Sequence, residues 1–559
     1  MDTRYDGEWV ITALLEDRAR RLTDRTGVRS LDGDLSYGEL ADRAARIASG
    51  LRELGVQPGD RVATMLESTI DYLAAWHGTI WAGAIDVPVN TELRGGFLAH
   101  ILRDSGARVL IVQDRWIGRL AELELPELEH VIAVPDAASA ARAATVGEAT
   151  GQPPAASPAV GTRSAPGGET SAAGTRPLHR WSDLLGLDPG ARVARTPEDL
   201  IYILYTSGTT GPSKGVCYTN RSASWLVQAC RETLELRPGD VGYSMFPLFH
   251  TMGRSALVTA SLWMGSPVVL RPRFSVSGFW RDIREQGVTW FGYFGAVILF
   301  LWREPEQADD AENPARLAFG ASAPAELIEP WERRFGLRLH ETYGSTELGT
   351  VACPKANAIK RPTMGRPVSH IEVEIHDERD EPVPPGALGE IVARPRRAGA
   401  IFAGYWNRPA ETVEAWRNLW FHSGDAGTLD EDGCLTFRDR KKDSIRRRGE
   451  NISSFEVERA VRSLELVVEC AAYPVPSEHG DDEVMVAIVI EPDGTLDASA
   501  FCAELIPLMP RFAIPRYVRV LAELPKTPSQ RVRKHELRAE GVTADTFDRE
   551  ALGVMPARD

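Results

Sequence analysis

Small hydroxyl residues, glycines and one lysine are concentrated in one segment, Tyr205-Thr-Ser-Gly-Thr-Thr-Gly-Pro-Ser-Lys-Gly-Val216. It continues an apolar run, Leu200–Tyr205, that is typical of a buried strand. Glycines let backbone N–H groups approach an anion, while the hydroxyls and Lys214 add donors and positive charge. The spacing differs from that of a Walker A loop, and an isolated Gly-Thr-Thr-Gly would more often be a surface turn. The whole segment predicts a polyphosphate-binding loop.

Five further motifs follow the loop in order along the chain. They are Phe319-Gly-Ala-Ser-Ala-Pro324, Glu341-Thr-Tyr-Gly-Ser-Thr-Glu347, Trp420-Phe-His-Ser-Gly-Asp425, Asp439-Arg-Lys-Lys-Asp443 and Gly449-Glu-Asn-Ile-Ser-Ser-Phe-Glu-Val-Glu458. With these motifs the chain resembles the adenylate-forming superfamily of acyl-CoA synthetases, luciferases and peptide-synthetase adenylation domains over nearly its whole length. Within that superfamily it is most similar to ligases of the carnitine/crotonobetaine-CoA type.

The resemblance implies a two-step activation of a carboxylic acid. A carboxylate is a poor electrophile, so it first attacks the α-phosphorus of ATP, pyrophosphate leaves, and an acyl-adenylate remains. The acyl group then passes to the thiol of CoA. Holding two anions together and neutralising the growing charge requires positioning and electrostatic stabilisation. ATP, Mg²⁺ and CoA are therefore the expected cofactors and co-substrates, with a small-to-medium or aromatic acid as the substrate.

The resemblance also implies which side chains contact the phosphates. The residues expected to hold the β- and γ-phosphates are Thr206, Ser207, Gly208, Thr209, Thr210, Gly211 and Lys214. Thr346 would bond the α-phosphate. Glu347 would be the carboxylate ligand of Mg²⁺, an ion that usually takes one or two protein carboxylates plus phosphate oxygens. In an unrelated chain such a glutamate would more often oppose a helix dipole.

Other motif residues are expected around the nucleoside and the acid. Those implied as walls of the adenine and acyl pockets are Gly320, Ala321, Ser322, Glu341, Thr342 and Tyr343, with Tyr343 stacking on the base. Asp425 would accept hydrogen bonds from both ribose hydroxyls, and Arg440 would contact the same sugar. His250 would gate the passage between the thiol tunnel and the acyl site. The aromatic run Trp290–Phe294 is expected to line the acyl pocket and suits a flat or medium-sized acid.

The last motif of the family is altered in this chain. The resemblance predicts Pro-Lys-Thr, two small residues and Gly-Lys, whose final lysine bridges the carboxylate and the α-phosphate. Here Gln530 and Arg531 stand in place of Gly-Lys. Arg531 keeps the positive charge in a different, planar geometry. Three hypotheses stay open: Arg531 replaces the lysine, Lys526 or Lys534 replaces it through a register shift, or the first half-reaction is altered.

Alternating helix and strand patterns predict the fold. They run from Leu35 to Val112 and resume after Pro197, which indicates βα units and mostly parallel sheets. A period of two at Ile371–Ala393 predicts a β-rich subdomain. We therefore predict an α/β fold with a large N-terminal adenylate-forming domain and a small mobile α+β C-terminal domain. The expected boundaries are residues 1–438, a hinge at 439–443 that pivots at Lys442, and residues 444–559.

Composition disfavours nucleic-acid binding and a membrane span, and it predicts one segment without regular structure. Residues 137–176 are rich in Ala, Gly, Ser, Thr and Pro, which predicts a disordered surface insertion. The chain has 64 Lys and Arg against 79 Asp and Glu, a formal net charge of −15, which disfavours nucleic-acid binding. The sequence lacks a signal-peptide pattern at its start and an apolar run long enough for a membrane span. Six cysteines without CxxC pairs indicate a reducing cytoplasm.

Two other reactions stay open at this point. Some relatives in biosynthetic pathways are ATP-dependent diazotases that activate nitrite and pass the nitrosyl group to an aryl amine. A stand-alone adenylation enzyme that loads a carrier-protein thiol is the other alternative. The intact Thr346-Glu347 pair argues against a non-catalytic relative.

Overall fold

A computed structural model describes most of the 559-residue chain. The described residues are 10–93, 95–121, 123–136, 176–206, 213–440, 445–447, 450–452, 454–477, 482–492, 494–509, 513–527, 530 and 532–555. The predicted disordered insertion at 137–176 lies outside them, apart from Arg176. No helix in these ranges is both long and apolar enough to cross a membrane.

The first sheet contains the strands that have Phe294, Ala321 and Glu341 at their carboxyl ends. Among the described residues its spatial order is Arg338–Glu341, Leu317–Ala321, Trp290–Phe294, Gly242–Ser244, Val268–Leu270, Thr26–Ser30 and Gly33–Ser36. Neighbours are parallel except for the final pair, which is antiparallel. Because parallel strands end at the same edge, Phe294, Ala321 and Glu341 all lie at one carboxyl edge, where ligands of α/β folds usually bind.

The second sheet carries the predicted phosphate loop. Within the described ranges its order is Leu178–Arg180, His130–Val134, Ala107–Gln113, Arg61–Met65, Ile85–Pro88, Leu200–Thr206 and Lys214–Thr219. Its strands are parallel except for the last two, which form an antiparallel hairpin. The strands Arg61–Met65 and Ala107–Gln113 are buried along most of their length, as expected for parallel strands with both faces covered. The predicted βα alternation is confirmed here.

Four helices of the same region begin at a residue whose side chain caps the first turn. Tyr37–Glu53 begins at Ser36, whose side chain and that of Glu39 form a reciprocal capping box. Its spacing of Leu40, Ala44, Ile47 and Leu51 places one apolar stripe against the core. The other helices are Leu14–Arg21, Ile70–Trp81, Gly95–Ser105, Trp181–Leu185, Asn220–Leu234, Ala260–Met264, Val276–Glu285, Gly295–Arg303, Ala325–Phe335 and Pro409–Ala415. A π-helical segment, Met252–Thr259, precedes Ala260–Met264.

The remaining elements are antiparallel or mixed sheets with short helices. One sheet has the strands Ile371–His376, Gly389–Pro395, Phe421–Leu429 and Leu435–Arg440. A second has Val467–Pro476, Asp482–Ile490, Tyr517–Val520 and Thr546–Asp548, with the helices Ser454–Arg462, Ala498–Leu505 and Lys534–Glu540. A short pair, Ile445–Arg447 and Glu450–Ile452, lies between them in sequence. This is the α+β character predicted for the C-terminal part.

The chain divides into two compact units that are interleaved in sequence. The first contains Met1–Ile359, Pro367–Glu372 and Pro395–Trp416, and the second contains Lys360–Arg366, Val373–Arg394 and Arg417–Asp559. Most of the predicted β-rich subdomain therefore groups with the C-terminal residues. The predicted boundary at residue 439 and the hinge at 439–443 stay predictions, and residues 441–444, including Lys442, lie outside the described residues.

Candidate active site

The two ends of the predicted phosphate loop are fixed by strand pairing. Thr206 and Lys214 are direct partners in the antiparallel hairpin, and Thr206 Oγ1 lies 3.5 Å from the Lys214 carbonyl oxygen. His100 Nε2 donates a hydrogen bond of 2.9 Å to the carbonyl oxygen of Ser213. The predicted loop residues Ser207, Gly208, Thr209, Thr210 and Gly211 lie outside the described residues, so their contacts stay predictions. The flanking structure nevertheless holds both ends of the loop at hydrogen-bonding distance.

A tyrosine links the two charged residues predicted to act on the triphosphate. Lys214 Nζ lies 5.1 Å from the centroid of the Tyr405 ring, a cation–π contact. The Tyr405 hydroxyl donates a hydrogen bond of 2.9 Å to Glu347 Oε1. Burial and the neighbouring Glu347 carboxylate raise the pKa of Tyr405, so the hydroxyl stays protonated and donates. One side chain therefore contacts both the cation and the carboxylate.

Tyr405 is held by a backbone ladder that the sequence analysis did not single out. Cys217 donates its N–H to the Gly404 carbonyl at 3.0 Å, and the Ala403 N–H returns a bond of 2.8 Å to the Cys217 carbonyl. Trp406 N–H bonds the Gly215 carbonyl at 2.7 Å. The segment 402–406 thus lies beside the strand that carries Lys214. The Gly-Tyr-Trp run was the available signal, but its pairing partner is nearly two hundred residues away in sequence.

Thr346 and Glu347 lie in the connection of a tight hairpin. The strands Tyr343–Ser345 and Gly349–Ala352 are antiparallel, and both Thr346 and Glu347 are half-buried between them. The Tyr218 hydroxyl donates to the Thr346 carbonyl oxygen, and the Phe402 N–H donates to the Glu347 carbonyl oxygen at 3.0 Å. These contacts fix the backbone of the pair. A hard carboxylate beside Lys214 has the donor chemistry that suits a Mg²⁺–triphosphate.

Glu341 is bonded to the backbone of the neighbouring motif. Its Oε1 accepts hydrogen bonds from the Tyr293 hydroxyl at 2.6 Å and from the Ala323 N–H at 3.1 Å. Its Oε2 accepts from the Ser322 N–H at 3.1 Å, and Ser322 has φ of +67°. A left-handed conformation is costly for serine, so these bonds shape the loop. The predicted contact of Glu341 with the ligand stays a prediction; the carboxylate organises the backbone of Ser322 and Ala323.

The glycine of the same motif is required by a close approach of two strands. Gly320 pairs with Tyr293, and a Cβ atom at Gly320 would lie 2.0 Å from the Tyr293 carbonyl oxygen. Gly320 also accepts a hydrogen bond of 2.7 Å from the Thr342 N–H, while Thr342 Oγ1 donates to the Ala352 carbonyl at 2.9 Å. The backbone positions of these predicted pocket residues are therefore tightly coupled.

Gly320→Ala is expected to lower the free energy of unfolding by at least about 2 kcal/mol, because the new methyl group must displace a strand. Denaturant unfolding followed by circular dichroism measures this change. Gly118→Ala is the control, since no atom lies within 4 Å of its Cβ position. Equal stability of the two variants would contradict the close approach.

Aromatic and sulfur-containing side chains surround the end of the strand Trp290–Phe294. The rings of Phe246 and Phe294 are 5.1 Å apart and nearly perpendicular. A Cβ atom at Gly292 would lie 3.1 Å to 3.2 Å from side chains of Leu257, Met252 and Phe246. The other aromatic residues of this run, Trp290, Phe291 and Tyr293, are buried in the core. Phe294 is the half-buried aromatic residue at the end of this run, and the contact of the run with the acid stays a prediction.

His250 lies beside Phe249, and Tyr343 lies in the hairpin that carries Thr346 and Glu347. The His250 ring centroid is 4.7 Å from that of Phe249, and the His250 N–H bonds the Pro247 carbonyl at 3.1 Å. His250 is half-buried, whereas Tyr343 is buried and pairs with Ala352 in the hairpin. The gating role of His250 and the stacking role of Tyr343 stay predictions.

In the second unit, the two predicted ribose contacts lie on adjacent strands. Asp425 and Arg440 are direct partners in the antiparallel pair Phe421–Leu429 and Leu435–Arg440. The Asp425 N–H donates to Ser423 Oγ at 3.1 Å, and that hydroxyl donates to the Ile391 carbonyl at 2.5 Å. The backbone register therefore places these two residues side by side.

The altered last motif forms a narrow loop whose tip is at Gln530. Lys526 and Val532 form a bridge across its base, and the Gln530 N–H bonds the Thr527 carbonyl at 2.8 Å. Gln530 has φ of +63°, a left-handed conformation that favours glycine. Arg531 itself lies outside the described residues.

The other two candidate lysines of this motif contact glutamates of their own unit. Lys526 Nζ lies 2.5 Å from Glu469 Oε1. Lys534 Nζ lies 2.7 Å from Glu458 Oε1 and donates to Ser454 Oγ at 2.7 Å.

Comparison with known proteins agrees with this geometry. A sequence model of the AMP-binding enzyme family matches residues 15–406, and one of the AMP-binding enzyme C-terminal domain matches residues 456–531. Feruloyl-CoA synthase from Amycolatopsis sp. is 33% identical over 545 residues, covering 95% of this chain and 98% of the relative. Crotonobetaine/carnitine–CoA ligase from Salmonella typhi is 27% identical over 535 residues, covering 94% and 98%.

The fold also matches a solved structure. The anthranilate CoA ligase AuaEII in complex with anthranoyl-AMP superposes with a TM-score of 0.81 at 22% identity, covering 97% of this chain and 98% of that one. The chain belongs to the AMP-binding enzyme family of adenylate-forming ligases. It is an ATP-dependent, AMP-forming acyl-CoA ligase that activates its acid as an acyl-adenylate. The predicted family, fold class and enzyme class are thereby confirmed, with ATP and CoA as co-substrates and Mg²⁺ as the usual companion of ATP.

Proposed function

We propose that this ligase acts on a flat, small-to-medium aromatic carboxylic acid with CoA as the acceptor. The observation that carries the proposal is the edge-to-face pair Phe246 and Phe294 at the end of the strand Trp290–Phe294, which is predicted to line the acyl pocket. Met252 lies beside Gly292 of the same strand. Aromatic edges and a thioether favour contact with a ring over contact with a long alkyl chain. The name of the feruloyl-CoA synthase relative supports the same class of acid.

Lys214, Thr346 and Glu347 are assigned to the first half-reaction. Lys214 would neutralise charge on the leaving pyrophosphate, and Thr346 would hold the α-phosphate in line with the attacking carboxylate. Mg²⁺, when bound at Glu347, supplies positive charge to the phosphate oxygens. The Tyr405 hydroxyl orients the Glu347 carboxylate, and its ring keeps Lys214 close by. These residues together perform positioning and electrostatic stabilisation.

Arg531 is our choice for the bridging cation of the last motif. Gln530 has the backbone conformation that suits the glycine of the family pattern, which supports an unshifted register with Arg531 at the lysine position. Lys526 and Lys534 pair with Glu469 and Glu458 instead. We further propose that Asp425 and Arg440 hold the ribose, that residues 439–443 form a hinge, and that the enzyme works in the cytoplasm. All six cysteines are buried free thiols, which suits a reducing compartment.

A pyrophosphate-release screen over acids tests the substrate class. Benzoates and hydroxycinnamates are expected to give kcat/KM values at least about tenfold above those of short and medium aliphatic acids, because a matched pocket discriminates by differential binding. Phe246→Leu should reduce turnover of the aromatic acids more than that of the aliphatic ones.

The same assay distinguishes the remaining acceptors and the nitrite reaction. Acyl-CoA formation should accompany pyrophosphate release when CoA is added. A higher kcat/KM for aliphatic acids would contradict the aromatic proposal, and acyl transfer only to a carrier protein would contradict the CoA proposal. Pyrophosphate release with nitrite and an aryl amine, but with no acid, would identify a diazotase.

A further inference from the structure

Five ionisable side chains form a continuous chain in the second unit. His376 Nε2 lies 2.9 Å from Glu374 Oε2, and His376 Nδ1 lies 3.0 Å from Asp380 Oδ1. The same Asp380 oxygen lies 3.3 Å from His422 Nε2, within ion-pair distance but without hydrogen-bond geometry. His422 Nδ1 lies 3.1 Å from Glu390 Oε2. We call Glu374, His376, Asp380, His422 and Glu390 the histidine–carboxylate chain. Both histidines are largely buried as side chains.

The geometry favours a doubly protonated His376. Both of its ring nitrogens face carboxylate oxygens, which accept hydrogen bonds but do not donate when ionised. Burial lowers the pKa of His376, but its hydrogen bonds to Glu374 and Asp380 outweigh this and leave the pKa above the ordinary 6.5. The hydrogen bond from His376 in turn lowers the pKa of Asp380. His376 and Asp380 therefore form a charge-assisted pair whenever His376 carries both ring protons.

Asp380 adopts a backbone conformation that is unfavourable for its residue type. Its φ is +66°, in the left-handed region where glycine has no steric penalty. The carboxylate is held by His376 on one oxygen and by Asn418 Nδ2 at 2.5 Å on the other. A strained residue fixed by several side-chain bonds is a typical feature of a site that needs a defined geometry.

The far end of the chain reaches the turn that precedes Asp425. Glu390 is buried, and its Oε1 accepts a hydrogen bond of 3.0 Å from the Gly424 N–H. Gly424 has φ of +72° and is followed directly by Asp425. The position of Glu390 thus affects the backbone that carries the proposed ribose ligand.

Other polar and charged groups face the chain from the surrounding elements. Arg417 Nη2 lies 2.7 Å from His422 Nδ1 and 3.6 Å from Glu390. The Trp420 ring is 5.4 Å from the His376 ring in an edge-to-face contact. The Arg394 guanidinium lies 4.3 Å from the centroid of the Trp420 ring, a cation–π contact. Asp377 adds a further negative charge near His376. Of the two histidines, His376 is the one whose hydrogen bonds to carboxylates raise its pKa.

We propose that Asp380 is a positioning residue of the nucleotide site, which sets the Gly424 turn through His422 and Glu390 while His376 carries its second proton. This inference rests on the proposed ribose role of Asp425. It assigns a function to a strained acidic residue that lies outside the motifs described from the sequence.

The direction of the pH dependence follows from the two shifts. Because the pKa of His376 is raised on folding, its contribution to the free energy of unfolding is complete below pH 6.5. That contribution is lost as pH rises through the folded-state pKa. Because the pKa of Asp380 is lowered, its contribution is present above 3.8 and is lost only as pH falls through its folded-state pKa. The turn should therefore be held best in mildly acidic solution, and ATP affinity should fall on the alkaline side.

Asp380→Gly separates a positioning role from a purely structural one. Glycine relieves the backbone strain but also removes the hydrogen bonds to His376 and Asn418, so the melting temperature should change little. The KM for ATP should nevertheless increase at least about threefold at neutral pH, with a smaller change in kcat. The rise of KM on the alkaline side that we expect for the natural protein should be absent. His376→Gln, which cannot be charged, should give the same flat profile.

Leu419→Gly is the matched control. Leu419 has φ of +65°, is exposed and carries no charge, so its replacement relieves strain without touching the histidine–carboxylate chain. Its KM for ATP and pH profile should equal those of the natural protein. A natural pH profile in Asp380→Gly, with ATP binding weakened by Asp425→Ala, would overturn the inference and leave the ribose role intact. Unchanged calorimetric ATP affinity in Asp425→Ala would overturn the ribose role and this inference with it.

Discussion

Arg531→Ala is expected to reduce acyl-adenylate formation at least about a hundredfold, because a charge that bridges the carboxylate and the α-phosphate contributes about 2.7 kcal/mol or more in the transition state. Pyrophosphate release in single-turnover conditions measures this step. Conversion of a supplied acyl-adenylate to acyl-CoA should survive, since the family uses another domain orientation for the thiol step. The first half-reaction should thus be lost while the second is retained.

Arg531→Lys tests whether charge or shape matters at this position. It should retain adenylation within about tenfold of the natural protein, because the charge remains and only the planar fork is lost. Lys526→Ala and Lys534→Ala are the matched controls; each breaks an ion pair with Glu469 or Glu458 and should leave adenylation nearly unchanged. A natural rate in Arg531→Ala together with a dead lysine variant would establish the register shift instead.

Lys214→Ala and Glu347→Gln are each expected to lower pyrophosphate release at least about tenfold, or about 1.4 kcal/mol, because each removes a charge used in the transition state. Steady-state kinetics at saturating ATP and Mg²⁺ measure the loss. The double variant should lose less than the product of the two single effects, since both side chains contact Tyr405.

Two further variants accompany this prediction, one as a control and one as a test of Tyr405. Lys355→Ala removes an exposed lysine and should leave the rate unchanged. Tyr405→Phe keeps the ring beneath Lys214 and removes the bond to Glu347, so a decrease of about threefold is expected. Natural rates in both Lys214→Ala and Glu347→Gln would contradict the assignment of the ATP site.

The sequence predicted those parts of the site that lie within a single segment. Thr206 and Lys214 were assigned to a loop after an apolar strand; the hairpin places them at the ends of two paired strands, and their contacts with phosphate stay predictions. Apolar periodicity likewise located helices such as Ile70–Trp81, because burial of one face determines both the pattern and the element. Local information was sufficient in these cases.

Contacts between distant segments could not be predicted in the same way. Tyr405 meets Lys214 only because segment 402–406 pairs with a strand far away in sequence. Glu341 is a carboxylate in a ligand-binding motif, but its bonds to Tyr293 and Ser322 depend on how two parallel strands end. Asp380 belongs to a turn whose left-handed φ is invisible in residue type. Pattern identifies which groups are present, whereas tertiary packing decides which way each one faces.

The ladder between segment 402–406 and the Lys214 strand also has a consequence for how the chain can be divided. Lys214–Thr219 is the last strand in the second sheet, and this ladder covers its outer backbone groups. A fragment that ended before Ala398 would expose that edge to pairing between molecules, which promotes aggregation. Because the ladder segment follows Val373–Arg394 of the other unit, a single cut cannot release the first unit whole. Split-protein reporters or domain exchanges in this enzyme would therefore need to keep residues 395–416 with the large unit.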